Sequence, residues 1–178
     1  AIVAAHPCYF KASQDDILQW VRLLAGASPL PIFLYNIPGC TKLSFEPQTV
    51  RAAADIPGVV GIKDSCGDIE KFGPLVEAMV DKPDFTLIVG PDKLTARAIA
   101  IGAHGAVNAG ANLFPAHYVA LYQAAHDGDQ PAVDELQKKV VLIYDTIYHA
   151  IEDPVAYVKC LKCALSQMGI CSDTMASP

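Results

Sequence analysis

Lys63 closes one apolar run, Val59-Val60-Gly61-Ile62, and Tyr35 closes another, Ile32-Phe33-Leu34, about 28 residues earlier. An amine and a phenol at the ends of successive apolar segments have the makings of carbonyl chemistry. Desolvating an ammonium costs several kcal/mol. Burial of such a group therefore favours the neutral amine, the form able to attack a ketone carbon. The carbinolamine so formed needs a group that gives and takes protons as it dehydrates, and a phenol serves. Taken alone, Lys63 reads equally as a lysine reaching from a strand end into water, or as a partner of Asp64. Tyr35 alone reads as packing. If the two runs are neighbouring parallel strands, about 4.8 Å apart, the phenol falls beside the amine and the chemical reading leads.

The elements that must place this pair are legible as a repeat. Short β-rich runs recur at Ile2–Ala5, Ile32–Tyr35, Val59–Ile62, Phe85–Val89 and Ala106–Ala109. Their starts are about 20 to 30 residues apart, the size of a strand–helix unit, and their continuous apolar character is that of strands covered on both sides. Helical patterns fill the gaps. Ser13 reads as the N-cap of a helix carrying Asp15 and Asp16 in its first turn, and further helices are expected at 47–54, 68–80 and 94–101. From Val133 to Ile151 the spacing predicts one long helix, and from Val155 to Met168 another, with Asp127-Gly128-Asp129 as a break.

Alternating β and α units predict a parallel sheet, either doubly wound or closed into a barrel. No GxGxxG follows the first strand, which counts against a dinucleotide fold. Five units cannot close an eight-stranded barrel. The chain also opens on Ala-Ile-Val, already inside an apolar run. The expectation is an α/β protein of the (β/α)8 TIM-barrel class. Residues 1–127 would supply its last five units, the first three would lie outside this chain, and residues 128–178 would form C-terminal helices. Strand ends carry the chemistry in such barrels. Here they read His6-Pro7-Cys8-Tyr9-Phe10, Tyr35-Asn36-Ile37-Pro38-Gly39, Lys63-Asp64-Ser65, Gly90-Pro91-Asp92 and Gly110-Ala111-Asn112. His6 is placed to border the pocket, whereas His104 and His117 read as loop or cap residues, and Asp64 and Asp68 as caps of the following helix.

Composition narrows the partners. Among 178 residues, 52% are hydrophobic and 18% charged, an apolar balance that suits subunit contacts and a homo-oligomer. A net charge of -6 argues against nucleic acid and anionic membrane, which require a basic face. No apolar run approaches the roughly 18 residues of a membrane span, and a cytoplasmic enzyme is expected. The six cysteines lack the paired spacing of a zinc site and read as reduced, packed thiols. No metal and no cofactor are expected.

Four segments in order resemble one family. Tyr35-Asn36-Ile37-Pro38-Gly39 is similar to the tyrosine motif of the dihydrodipicolinate synthase/N-acetylneuraminate lyase family, the pyruvate-dependent class I aldolases. Gly61-Ile62-Lys63-Asp64-Ser65-Cys66-Gly67-Asp68 resembles its Schiff-base lysine motif. Pro7-Cys8-Tyr9-Phe10-Lys11 is similar to the segment with a second tyrosine, and Gly102-Ala103-His104-Gly105 through Asn112 to the glycine-rich last strand.

The resemblance implies that Lys63 forms an imine with pyruvate or another 2-oxo acid. Tyr35 would relay protons, and Tyr9 would complete a neighbouring subunit's relay, making Lys63, Tyr35 and Tyr9 the candidate catalytic residues. Val107 would offer a backbone carbonyl to the pocket, beside Thr41 and Cys40 as candidate substrate-binding residues. The partners implied are a 2-oxo acid and an aldehyde, and the assembly a tetramer of tight dimers.

Two departures qualify this. The family's glycine-rich turn with paired Thr/Ser, which holds the pyruvate carboxylate, is absent from this chain. Cys40 stands where dihydrodipicolinate synthases carry an arginine for the semialdehyde carboxylate, and Thr41-Lys42 follow it. A thiol cannot make that forked contact. The expected activity is therefore an aldolase or lyase on a 2-oxo acid. Dihydrodipicolinate synthase itself, and a non-catalytic sugar-acid-binding relative, are the alternatives.

Overall fold

The computed structural model describes residues 1–176. Five strands, β1 (Ile2–Ala5), β2 (Ile32–Asn36), β3 (Val59–Asp64), β4 (Thr86–Val89) and β5 (Gly105–Ala106), form one parallel sheet in chain order. Between them lie α1 (Gln14–Ala27), the single turn α2 (Pro38–Thr41), α3 (Pro47–Ala53), α4 (Ile69–Ala78) and α5 (Thr95–Ala100). A doubly wound sheet reverses its strand order near the middle, and this sheet does not. Its helices instead form a row, α1 packing on α3, α3 on α4 and α4 on α5.

The residues explain the starts of these helices. Ser13 caps α1 in a reciprocal box: its Oγ accepts from the Asp16 N–H at 3.2 Å, and its own N–H donates to Asp16 Oδ2 at 2.8 Å. Pro47 opens α3 with its φ already helical, and Asp68 caps α4 by accepting from the Glu70 N–H at 3.0 Å.

Strands β2 and β4 bury alternate residues, and β3 does so from Ile62 onward. Ile32 and Leu34 of β2, Ile62 of β3, and Leu87 and Val89 of β4 are almost wholly enclosed, as are Ile17, Val21, Val50, Phe72 and Ala98 of the helices that cover them. Each of the larger side chains contributes about 1.5–3 kcal/mol on burial, so this face fixes the orientation of β2, β3 and β4. The other face carries Phe33, Tyr35 and Lys63, which are less buried.

One irregularity sets which residues of β3 face which way. Ile32 pairs with Val59, but Phe33 pairs with Gly61, so β3 holds one extra residue against β2. This bulge turns Lys63 to the face away from the helices. Without it, Lys63 would point into the helical layer.

Two elements differ from their expected extent. β5 ends at Ala106 rather than Ala109, because Ala109 adopts helical dihedrals and the chain turns through Gly110–Asn112. The helix expected to run to Ile151 stops as α7 (Gln130–Ile143) and closes in a wider π turn over Tyr144–Tyr148, where the Thr146 hydroxyl bonds back to the Leu142 carbonyl at 2.6 Å. Such back-bonding bends a helix.

Helices α6 (Pro115–Asp127), α7 and α8 (Ala156–Gln167) belong to a second compact unit, which begins at Asn108 and follows the first, Ala1–Val107. The expected division at 127/128 falls between α6 and α7. No described helix is long and apolar enough to cross a membrane.

A Cβ built on Gly61 overlaps the Phe33 ring and comes within 2.6 Å of the Thr86 carbonyl oxygen, which is main chain and cannot swing aside. Gly61→Ala is expected to lower the unfolding free energy by about 1–3 kcal/mol, measured by urea denaturation. An unchanged midpoint would show that β2 and β4 yield at this point.

Candidate functional site

The register that buries Leu34 and Ile62 sets Tyr35 directly beside Lys63, and the row continues to Ala5 on one side and Ile88 on the other. Lys63 Nζ donates to Tyr35 Oη at 3.4 Å, a long contact, and sits 4.5 Å from the centre of the tyrosine ring. The phenol therefore offers the lysine an oxygen and a π face at once. The Phe33 ring lies over Gly61 one step back along the strands. The amine thus has apolar neighbours behind and to one side, and a phenol on the other.

Lys63 is turned away from Asp64, which removes the ion-pair reading. Asp64 lies on the helical face, where its carboxylate accepts from the Asn36 amide at 2.5 Å. The expectation that Asp64 caps the next helix is corrected accordingly: Asp68 takes that place.

The remaining candidates occupy different settings. Tyr9, in the loop after β1, is 89% exposed, meets Phe10 edge-on at 4.8 Å between ring centres, and takes no part in the Lys63–Tyr35 contact. Val107 follows β5 and extends the sheet by one bond, its N–H donating to the Val89 carbonyl at 2.9 Å. Cys40 is exposed on α2, not in an open loop. Thr41 is buried, with Oγ1 3.1 Å from the Ile37 carbonyl and 3.0 Å from that of Leu43, so its hydroxyl proton serves the turn itself. Lys42 caps α2 in the left-handed region with φ 65°, and its ammonium folds back to the Gly39 carbonyl at 2.8 Å.

His6 is buried, with ring nitrogens 3.1 Å from the Pro7 carbonyl and 3.0 Å from that of Leu43, and packs edge-on against Phe45. His104 joins the sheet, its Nδ1 accepting from the Leu87 N–H at 3.0 Å. Among the described residues, no three His, Cys, Asp or Glu side chains are grouped to hold a metal ion.

Sequence reasoning did not find Asn36 as a member of this site. The available signal is its position: a polar residue on the strand face otherwise given to Ile32 and Leu34.

Burial first, and then the adjoining Asp64 carboxylate, push the Cys66 thiol up to about 12. The thiolate is the reactive form, so at pH 8 only about one Cys66 in ten thousand is poised to react. Cys66 is expected to alkylate about a hundredfold or more slower than exposed Cys8 and Cys40, as read by peptide mapping after iodoacetamide. Labelling at a matching rate would mean that the segment after β3 opens readily.

Comparison with known proteins identifies the family. A model of the dihydrodipicolinate synthetase family matches residues 1–178. A 4-hydroxy-tetrahydrodipicolinate synthase of Thermomicrobium roseum is 33% identical over 179 residues, covering 100% of this chain and 57% of the relative. The dihydrodipicolinate synthase structure from Bacteroides thetaiotaomicron superposes with a TM-score of 0.95 at 46% identity, over 99% of this chain and 59% of that one. YagE, a family member from E. coli K12 solved in complex with pyruvate, gives 0.87 at 26% identity, over 99% and 60%. The chain thus spans less than two thirds of these relatives' length. It belongs to the dihydrodipicolinate synthetase family.

Proposed function

We propose that this chain carries the Schiff-base centre of a class I aldolase or lyase acting on a 2-oxo acid, pyruvate in the first instance. The observation that supports it is the Lys63 amine meeting the Tyr35 phenol on the sheet face opposite the helices. The five strand–helix units are then part of a (β/α)8 barrel, and that face is its interior.

In the reaction, Lys63 Nζ adds to the ketone carbon and forms a C–N bond. The former carbonyl oxygen takes two protons and leaves as water. One of them is released from nitrogen and relayed through Tyr35, and the other is given by the Tyr35 phenol itself, whose phenolate can then take up the proton lost from the neighbouring carbon. The cationic imine draws electrons from the neighbouring carbon, so loss of a proton there gives an enamine, which attacks an aldehyde carbon to make the new C–C bond. Cleavage is the same sequence reversed. Val107 would lend its carbonyl to the pocket. Tyr9, exposed within this chain, has the placement expected of a residue used by a neighbouring subunit in a homo-oligomer. The setting would be the cytoplasm.

With pyruvate and borohydride, the intact protein is expected to gain a reduced pyruvoyl adduct on Lys63, located by peptide mass. Labelling of another lysine instead would sink the mechanism. Tyr35→Phe is expected to keep the fold and slow imine formation and turnover by about 10² to 10⁴, the usual worth of a placed proton donor. Wild-type rates in that variant would return Tyr35 to a packing role.

The names of the relatives favour a second reading, dihydrodipicolinate synthase itself, with aspartate semialdehyde as acceptor. Cys40 counts against it. A charged hydrogen bond to the semialdehyde carboxylate is worth about 1.5–3 kcal/mol, or roughly tenfold to a hundredfold in specificity. Lys42 is engaged at Gly39 and would have to let go to replace it. Aspartate semialdehyde is therefore expected to be a poorer acceptor than glyoxylate, glyceraldehyde or N-acetylmannosamine, in a kcat/KM panel with pyruvate. A tenfold or larger advantage for aspartate semialdehyde would restore the synthase reading.

A further inference from the structure

One residue beyond the reacting pair on each strand, Asn36 and Asp64 are also paired in register, and both are buried, at 5% and 4% exposure. Their side chains emerge on the helical face, back to back with Tyr35 and Lys63. The Asn36 amide donates to Asp64 Oδ2 at 2.5 Å, and its oxygen accepts from the Phe45 N–H at 3.1 Å. Asp64 Oδ1 accepts from the Cys66 N–H at 3.1 Å. The main chain binds the same two residues again: the Ser65 N–H donates to the Asn36 carbonyl at 2.8 Å, and the Gly90 N–H to the Asp64 carbonyl at 2.7 Å. These contacts tie the end of β2 to β3, β3 to β4, and both to the segments that follow them.

We infer that Asn36 and Asp64 are positioning residues for the proposed imine chemistry, holding the last step of the β2–β3 register so that Tyr35 Oη stays within reach of Lys63 Nζ. The inference rests on the function proposed above. Leu34 and Ile62 set by packing which face of each strand is covered, and the donor–acceptor pair adds one directional alignment at the strand ends. The 3.4 Å separation of amine and phenol is already long, so a further slip of about 1 Å removes the contact, and displacements of that size cost about a hundredfold in rate.

The pattern makes a reciprocal test possible. Asn36→Asp sets two acceptors against each other. Asp64→Asn cannot satisfy both the Asn36 amide and the Cys66 N–H while keeping its own amide bonded. The exchanged variant, N36D with D64N, restores every bond: the new aspartate accepts from Phe45 and from the new asparagine, whose oxygen accepts from Cys66.

The experiment measures the single-turnover rate of pyruvate trapping on Lys63 in the intact protein, with pyruvate affinity and melting temperature measured alongside. Each single variant is expected to trap about tenfold to a hundredfold slower at saturating pyruvate, with affinity changed less than about threefold, and the exchange to return within about threefold of wild type. Folded single variants that trap at the wild-type rate overturn the inference, as does a folded exchange that remains slow. If both singles fail to fold, the exchange alone decides, and its failure to fold also counts against the inference. Absence of any Lys63 adduct in the wild type is a different result, which withdraws the proposed function and this inference with it.

Discussion

Side chains on a strand alternate between two faces, and parallel strands in register bring like positions together. Nearly everything distinctive in this chain hangs on those two facts acting on β2 and β3. Leu34 and Ile62 must be buried under the helices, so Tyr35 and Lys63 must face the other way, and pairing brings them side by side. The arrangement holds because β3 carries one residue more than β2 at Val59-Val60. Shifting that pairing by a single position would carry the lysine into the helical layer, where burying an ammonium carries a large solvation cost. Gly61 is the counterpart of the bulge: the Phe33 ring and the Thr86 carbonyl close over the place where any side chain would begin.

The elements themselves were readable because their signals are local. The continuous apolar runs became β1 to β4 with bounds no more than two residues from those expected, and Ser13 with Asp16 made the cap that its spacing announces. What could not be read depended on dihedrals or on distant partners. Ala106–Ala109 follows the spacing of the earlier strands, yet Ala109 turns helical as the chain leaves the sheet for the turn at Gly110–Asn112. The periodicity running to Ile151 is real, but α7 passes at Tyr144 into a wider π turn, within which the Thr146 hydroxyl bonds back to the Leu142 carbonyl. The bulge was hidden because Val59 and Val60 are both apolar and β-branched, so either could be the residue left over. The Lys63–Tyr35 pair was legible as two strand ends. The Asn36–Asp64 pair was not, since polar residues following an apolar run read as the start of a turn, and only the fold shows them buried together.

These two pairs divide one task between the faces of the sheet. Successive residues of each strand send one side chain to the open face and one to the helical face, so a displacement of either is a displacement of both. The same buried amide extends the arrangement outward. Asn36 holds the Phe45 N–H, Phe45 packs against His6, and His6 and Thr41 both reach the Leu43 carbonyl. The segment from Ile37 to Phe45 is thereby hung from the ends of β1 and β2 at several points, none of them the side chain of Cys40.

That omission bears on how substrate choice would be altered in this scaffold. Within α2, Cys40 contributes its N–H to the Ile37 carbonyl, while its thiol is exposed. Thr41 and Lys42 do the structural work beside it, one through a buried hydroxyl and the other through a left-handed cap and an ammonium bound to Gly39. A side chain at position 40 can therefore be exchanged without changing the turn that presents it, whereas exchange at 41 or 42 would change the turn first. In the proposed reaction, position 40 is where the acceptor's chemistry can be matched independently of the imine centre. A thiol there lacks the forked, charged contact by which an arginine would grip an acceptor's carboxylate.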